Sequence, residues 1–127
     1  MSVVLDASAL LALLGREAGA ERVARALADR PHMSAVNVAE VATKLADRGV
    51  GSDLIRETIE ALELEIVAFD ADAALASAEL RRATVAQGLS LGDRACLGLA
   101  LTLGRPALTC DAAWSGVELP VSIEVAR

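Results

Sequence analysis

Short apolar runs that alternate with longer helical stretches are the feature that most constrains the fold of this 127-residue chain. Residues 3–5 and 107–109 form such runs, residues 65–69 alternate well enough for a strand, and residues 121–125 are predicted to form the last strand. Short apolar segments rich in β-branched residues are typical of strands in a parallel sheet. The sequence therefore predicts one domain over residues 1–127, a three-layer α/β/α fold with a central, mostly parallel sheet and right-handed crossovers.

The segments between the strands have helical periodicity. We expect helices over 7–14 and 20–29, in a third segment entered through 34–38 and ending near 49, and over 52–64, 70–87 and 93–103. Ser52 or Asp53 is the expected cap of the fourth helix, and Asp70 or Asp72 begins the fifth. Residues 90–92 are predicted to form a loop.

The composition restricts the class of function. The hydrophobic share is 54%, with one Phe, one Trp and no Tyr, which predicts a core of aliphatic side chains. So few aromatic residues also argue against a base-stacking surface for single-stranded nucleic acid. The formal net charge of −6 excludes a basic, non-specific nucleic-acid binder. A nucleic-acid substrate would have to be met by a local arginine patch or by bound cations.

Cysteine usage and hydropathy indicate the compartment. Cys96 and Cys110 are far apart, lie among apolar residues and form no CxxC motif, so we expect buried thiols in a reducing environment. Asp6 interrupts the first apolar run early, which disfavours a signal peptide. No stretch has the roughly 18 uninterrupted apolar residues of a membrane span. We therefore expect a cytoplasmic protein without a membrane partner.

Four acidic residues stand in apolar surroundings. Asp6 and Asp111 each follow a predicted strand, Asp93 opens a nearly all-apolar helix, and Glu40 interrupts a helix of valines and alanines. In open parallel sheets, sites form beyond the carboxyl ends of the strands. Carboxylates that converge there would bind a hard divalent cation. The pattern therefore favours a metal-dependent hydrolase of phosphate esters.

Each acid also has a structural interpretation. Asp6, Asp93 and Asp111 could cap the helices or turns that follow them. Glu40 could form a helical ion pair with Lys44, four residues later. Capping does not account for Glu40, however, and an unpaired carboxylate on a buried helical face is costly. Glu40 is therefore the residue that most favours a shared site.

The chain resembles PIN-domain ribonucleases, in particular the VapC-type toxins of type II toxin–antitoxin systems. The resemblance is carried by VVLDASALL at residues 3–11, SAVNVAEV at 34–41, LSLGDRACL at 89–97 and ALTCD at 107–111. These four motifs occur in the family's order and extend over essentially the whole chain. The chain departs from many relatives in its acidic charge and its lack of aromatic residues.

The resemblance implies catalysis by a metal site with Mg²⁺, or Mn²⁺, held by four carboxylates, those of Asp6, Glu40, Asp93 and Asp111. It also implies supporting hydroxyls from Ser8 and Thr109, while Asp72 is interpreted as a helix cap. Candidate phosphate contacts are the arginines Arg16, Arg22, Arg25 and Arg94. The implied activity is cleavage of RNA phosphodiesters, and the implied partners are a VapB-like antitoxin and a second copy of the chain. The only histidine, His32, is expected at the surface or at a strand edge rather than acting as a general base.

Other functions remain open on the sequence. A housekeeping PIN-domain RNase without an antitoxin and a non-catalytic module with an acidic pocket share all four acids. A haloacid-dehalogenase-type phosphatase would need a second acid two residues after Asp6, where the chain has Ser8. A receiver-like module would need a lysine near the site, and Lys44 lies on another predicted helix. Leu10, Leu11, Leu13 and Leu14 make the first helix apolar on more than one face, which fits either a core helix or a groove for an antitoxin helix.

Overall fold

A computed structural model describes residues 2–127. Five parallel strands form one sheet in the order β3-β2-β1-β4-β5. The strands are β1 (Val4–Leu5), β2 (His32–Ser34), β3 (Glu65–Val67), β4 (Ala107–Thr109) and β5 (Ile123–Val125). The predicted α/β class is confirmed, and every strand pairing in residues 2–127 is parallel.

Seven α-helices within the described residues connect these strands. They are α1 (Ala7–Leu14), α2 (Ala20–Leu27), α3 (Ala35–Asp47), α4 (Ser52–Ala61), α5 (Ala71–Glu79), α6 (Arg81–Thr84) and α7 (Leu91–Leu103). Two short 3₁₀ helices follow α6 and β4, at Val85–Gln87 and Ala112–Gly116. None of these helices is long and apolar enough to cross a membrane.

The sheet separates two hydrophobic cores because successive strand residues point to opposite faces. Leu5 and Leu108 pack with the apolar faces of α1 to α4, together with Met33. Val4 and Ala107 face α7 and the 3₁₀ helix at Ala112–Gly116. The strand order reverses between β1 and β4, so the crevice at their carboxyl ends is the topological switch point of the sheet.

The structure corrects several predicted elements. Residues 32–34 form a strand that the sequence did not reveal, since His-Met-Ser shows neither an apolar run nor clear alternation. The predicted helix over 70–87 is divided, because Leu80 leaves regular helical geometry with ψ −8° and a separate short helix follows. The last long helix begins at Leu91, inside the predicted loop, since Ser90 caps it.

Two predicted caps are also wrong. The fourth helix is preceded by Gly51 rather than capped by Ser52 or Asp53. Asp70, not Asp72, caps α5 by accepting a hydrogen bond from the Ala73 N–H, and Asp72 lies in the first turn. The expected aliphatic core holds for most of the molecule, yet Trp114 is fully buried in the second core.

Candidate metal site at the switch point

Asp6 lies at the end of the central strand β1 and begins α1. Its side chain is only 2% exposed. Its Oδ1 accepts hydrogen bonds from the Ala9 N–H at 2.9 Å and the Ser8 hydroxyl at 2.9 Å, and its Oδ2 accepts one from the Thr109 hydroxyl at 2.7 Å. The predicted capping role is therefore confirmed, and the same contacts hold the carboxylate rigidly at the switch point.

The surroundings of Asp6 raise its pKa from 3.8 to about 6. Burial is the main cause, because it removes water from the charged form, and the negative charge of Asp93 adds to it. The hydrogen bonds from Ala9, Thr109 and Ser8 lower the pKa, but they compensate for burial only in part. An ionised Asp6 would therefore be stabilised by a nearby cation.

Hydroxyl groups connect the ends of β1 and β4. The Ser8 Oγ accepts a hydrogen bond from the Cys110 N–H at 3.0 Å and lies 3.1 Å from the Thr109 Oγ1. Thr109 Oγ1 in turn accepts one from the Asp111 N–H at 3.0 Å. We call Asp6, Ser8, Thr109 and Asp111 the strand-end cluster, in which both predicted hydroxyls contact the predicted acids.

Asp111 completes this cluster. Its Oδ1 accepts a hydrogen bond from the Ala113 N–H at 3.0 Å and so caps the 3₁₀ helix at Ala112–Gly116, as the sequence suggested. Its other oxygen accepts no hydrogen bond from residues 2–127. Capping therefore occupies one oxygen of Asp111 and leaves the second available to a ligand.

Glu40 is held from α3 against the start of α7. The Asn37 amide donates to Glu40 Oε1 at 2.8 Å and to the Gly92 carbonyl at 2.9 Å. A Cβ built on Gly92 would lie 2.5 Å from Glu40 Cδ, so the carboxylate fills the space that a side chain would need. The alternative pairing with Lys44 is not formed within residues 2–127, and Lys44 is exposed.

Asp93 stands in the first turn of α7, next to Gly92. Its Oδ2 accepts a hydrogen bond from the Ser90 N–H at 2.9 Å, and the Ser90 Oγ accepts one from the Asp93 N–H at 3.2 Å. This reciprocal pair is a capping box, so Asp93 supports the helix start while Ser90 is the cap. We call Asn37, Glu40, Gly92 and Asp93 the helix cluster.

The carboxylates of both clusters affect the Cys96 thiol. Burial is the main cause of the raised pKa of the Cys96 thiol, and the charges of Asp6, Asp93 and Glu40 raise it further. One buried thiol therefore lies within electrostatic reach of three predicted ligands. The strand-end cluster adds Asp111 through its shared partner, Thr109.

The donors fit a hard divalent cation in their chemistry. All four are carboxylates, and three of them keep one oxygen that accepts no hydrogen bond within the described chain. Within residues 2–127 no three Asp, Glu, His or Cys side chains come close enough to form a ready-made cage. An open set of carboxylates suits a cation such as Mg²⁺, which retains several waters when bound.

The predicted phosphate contacts differ in their surroundings. Arg94 donates to the Ser77 carbonyl at 3.1 Å, and Arg22 forms a bidentate pair with Glu124 at 2.5 and 2.9 Å. Arg16 and Arg25 are exposed, and both border an open depression beside the first two helices. Arg16 and Arg25 are therefore more available to a phosphate than Arg22 and Arg94.

Other predicted surface features also have defined environments. His32 begins β2, is half-buried and lies 3.0 Å from the Ser2 hydroxyl, at the opposite end of the strand from the switch point. Leu10 is fully buried and Leu11, Leu13 and Leu14 pack partly against the same core. Leu10 is thus a core residue, while the partly buried Leu11, Leu13 and Leu14 remain compatible with a groove. Both cysteines are free and buried.

Sequence reasoning missed Asn37 and Gly92. A signal for Asn37 was present, since it lies three residues before Glu40 and therefore on the same helical face. Nothing comparable marked Gly92, because its role depends on a side chain 52 positions earlier in the chain, at Glu40.

The family is shown by comparison with known proteins. The profile of the PIN domain matches residues 3–118, and the chain belongs to the PIN domain family. No curated protein matches the sequence. The resemblance inferred from the four motifs is therefore confirmed by a match over most of the chain.

Solved structures share the fold at low sequence identity. A toxin–antitoxin complex from Klebsiella pneumoniae contains a chain with a TM-score of 0.77 and 20% identity, covering 99% of this chain and 98% of that one. A chain of DNA-bound VapBC from Salmonella typhimurium has a TM-score of 0.74 and 16% identity, covering 100% of this chain and 99% of that one. A chain of VapBC2 from Rickettsia felis, bound to a promoter DNA fragment, has a TM-score of 0.72 and 16% identity, covering 98% of each chain.

Proposed function

We propose that the protein is the toxin of a toxin–antitoxin pair and acts as a Mg²⁺-dependent endoribonuclease, with Mn²⁺ as an alternative ion. The observation that carries the proposal is the hydrogen-bonded cluster of Asp6, Ser8, Thr109 and Asp111 at the switch point of a PIN domain. Capping alone would place acids at helix starts but would not join Asp6 to Asp111 through the Thr109 hydroxyl. RNA in the cytoplasm is the proposed substrate.

The chain's own residues would prepare the reaction. Asp6 would anchor the ion from a rigid position, while Glu40, Asp93 and Asp111 would each offer their remaining oxygen. When bound, Mg²⁺ would lower the pKa of a coordinated water and offset the charge that builds on the phosphate. Ser8 and Thr109 would keep Asp6 ionised by donating to it.

The cation would also reduce the electrostatic repulsion between the acidic protein and its substrate. With a net charge of −6 and Asp6 and Asp111 at the switch point, the metal-free protein would repel a phosphodiester backbone. A bound divalent cation reverses the local field. Arg16 and Arg25 would then assist at the rim.

The test measures cleavage of single-stranded RNA with Mg²⁺, with Mn²⁺ and with EDTA. We expect Asp6→Asn and Asp93→Asn to abolish the metal-dependent cleavage while circular dichroism shows an intact fold. Asp70→Asn is the matched control, since Asp70 also caps a helix but is exposed and is not one of the four acids. Equal RNA loss in EDTA, or full activity in both site variants, would contradict the metal mechanism.

The proposed partners are a VapB-like antitoxin and a second copy of the chain. Support for the antitoxin comes from similar folds in VapBC and toxin–antitoxin complexes, whereas the second copy is implied only by the family resemblance. An arginine of the antitoxin would find the same carboxylates that hold the ion. We expect expression of the chain to arrest growth, and co-expression of a small protein encoded beside it to restore growth. Cleavage in vitro without growth arrest would favour a housekeeping RNase.

A further inference from the structure

We infer that Asn37 is a positioning residue that fixes the Glu40 carboxylate for the metal ion, an inference that rests on the proposed function. Asn37 is 1% exposed, although asparagine is rarely buried so completely. Both polar contacts of its amide nitrogen go to the helix cluster, at 2.8 Å to Glu40 and 2.9 Å to Gly92. The side chain thereby ties α3 to the first turn of α7.

The orientation of the Asn37 amide is set by its partners. A carboxylate oxygen and a backbone carbonyl are both acceptors, so the nitrogen must face them. The amide oxygen is then buried without a hydrogen-bond partner in the described chain. A buried acceptor left unpaired lowers stability. Asn37 is therefore poorly explained as a stabilising core residue.

Helix capping does not explain Asn37 either. Ser34 is the cap of α3 and accepts a hydrogen bond from the Val36 N–H at 3.2 Å. Asn37 occupies the third helical position, where a capping-box side chain would turn back to the cap. Its amide donates to Glu40 and Gly92 instead. The Asn37 amide therefore joins α3 to α7 instead of capping α3.

Gly92 completes the arrangement from the opposite side. Because a Cβ on Gly92 would overlap the Glu40 carboxylate, that carboxylate lies directly over the backbone of α7. Asp93 is the next residue in the same turn. Asn37 and Gly92 together therefore define where Glu40 stands relative to Asp93.

The experiment measures Mn²⁺ binding by calorimetry on the full chain, at fixed pH and without RNA. We expect Asn37→Leu to weaken Mn²⁺ affinity about tenfold, as is typical when a group that orients a metal ligand is removed. Thermal unfolding of the metal-free variant should show no loss of stability, since the unpaired amide oxygen is also removed. Val41→Ala is the matched control on α3: it should lower stability and leave affinity unchanged.

Two further variants separate positioning from a general effect on the fold. If Asn37 acts through Glu40, adding Asn37→Leu to Glu40→Gln should produce no additional loss of affinity. Gly92→Ala should weaken binding through the same carboxylate, and it keeps the test available if Asn37→Leu does not fold. Unchanged affinity in Asn37→Leu, or additive losses in the double variant, would overturn the inference.

The same measurements distinguish the positioning role of Asn37 from the proposed metal site on which it rests. If Glu40→Gln weakens Mn²⁺ binding and Asn37→Leu does not, only the positioning role is lost. If Mn²⁺ binds equally to the wild type and to Asp6→Asn, Glu40→Gln and Asp93→Asn, the proposed metal site itself is wrong.

Discussion

The strand-end cluster and the helix cluster hold carboxylates in different ways. Asp6 is almost fully buried, stands directly on the central strand and accepts hydrogen bonds from one N–H and two hydroxyls. Glu40 is only partly buried, stands on a helix and is held by a single amide. One part of the candidate site is therefore built into the sheet and carries the energetic cost of a buried charge, while the other depends on how α3 and α7 pack.

The largest expected effect on the free energy of unfolding follows from the burial of the Asp6 carboxylate. Its pKa of about 6 in the folded chain exceeds 3.8, so the contribution of Asp6 to stability is fully present below pH 3.8 and is lost as the pH rises through 6. Asp6→Asn should therefore raise the free energy of unfolding of the metal-free protein at pH 7, by at most about 3 kcal/mol, because the amide removes the charge but also loses one hydrogen-bond acceptor. Glu40→Gln should change it by less than about 1 kcal/mol.

Urea denaturation between pH 4 and pH 8 in EDTA measures this difference. The advantage of Asp6→Asn over the wild type should shrink as the pH falls toward 4, because Asp6 then becomes protonated in both states. A gain that is independent of pH would show that the burial of Asp6 is not the source of the cost.

A smaller effect is expected at the hydroxyl shared by two acids. Thr109 is fully buried, donates to Asp6 and accepts from the Asp111 N–H. Thr109→Val should lower the free energy of unfolding by about 1–3 kcal/mol, since it leaves a buried N–H without its partner. It should also raise the pKa of Asp6 above about 6, because a hydrogen bond to the charged form is lost.

The matched control is Thr102→Val, which removes a hydroxyl bonded to the Gly98 carbonyl within α7. Thr102→Val should lower the free energy of unfolding by less than Thr109→Val does. It should leave the titration of Asp6, followed by carboxyl NMR, unchanged. An unchanged Asp6 pKa in Thr109→Val would mean that the strand-end cluster is less coupled than its distances imply.

The smallest effect is expected at the helix start. Ser90→Ala removes the acceptor of the Asp93 N–H and should lower the free energy of unfolding by about 1 kcal/mol. Mn²⁺ affinity should fall less than in Asn37→Leu, because the Ser90 backbone N–H still donates to Asp93. Ser115→Ala, an exposed serine outside any cap, should stay within about 0.5 kcal/mol of the wild type. A larger loss of Mn²⁺ affinity in Ser90→Ala than in Asn37→Leu would mean that the capping box, rather than Asn37, does most to position the carboxylates of the helix cluster.

The part of the fold that sequence reasoning recovered is the part with strong local signals. Ala107–Thr109 and Ala7–Leu14 have the predicted bounds, since an apolar run and a glycine stop identify them. Residues 32–34 form a strand only because β1 and β3 pair on either side of them. Their own side chains favour no strand, so pairing overrides local preference there.

The candidate site was recovered in a similar way. The apolar runs before Asp6 and Asp111 place both at strand ends, and the structure joins them through Thr109. Glu40 was singled out as the acid that capping does not explain, and the structure gives it a partner in Asn37. The link from Asn37 to Gly92 spans two helices that are remote in sequence, so it could not be read from either one. The metal itself stays a prediction.

Trp114 gives the protein a built-in optical probe. The chain has one Trp and no Tyr, so its near-ultraviolet emission comes from a single indole. That indole is fully buried in the 3₁₀ helix that Asp111 caps, and its N–H has no partner in the described chain. The emission should therefore be blue-shifted in the native state. A red shift would report loosening of the segment beyond Asp111 without any label.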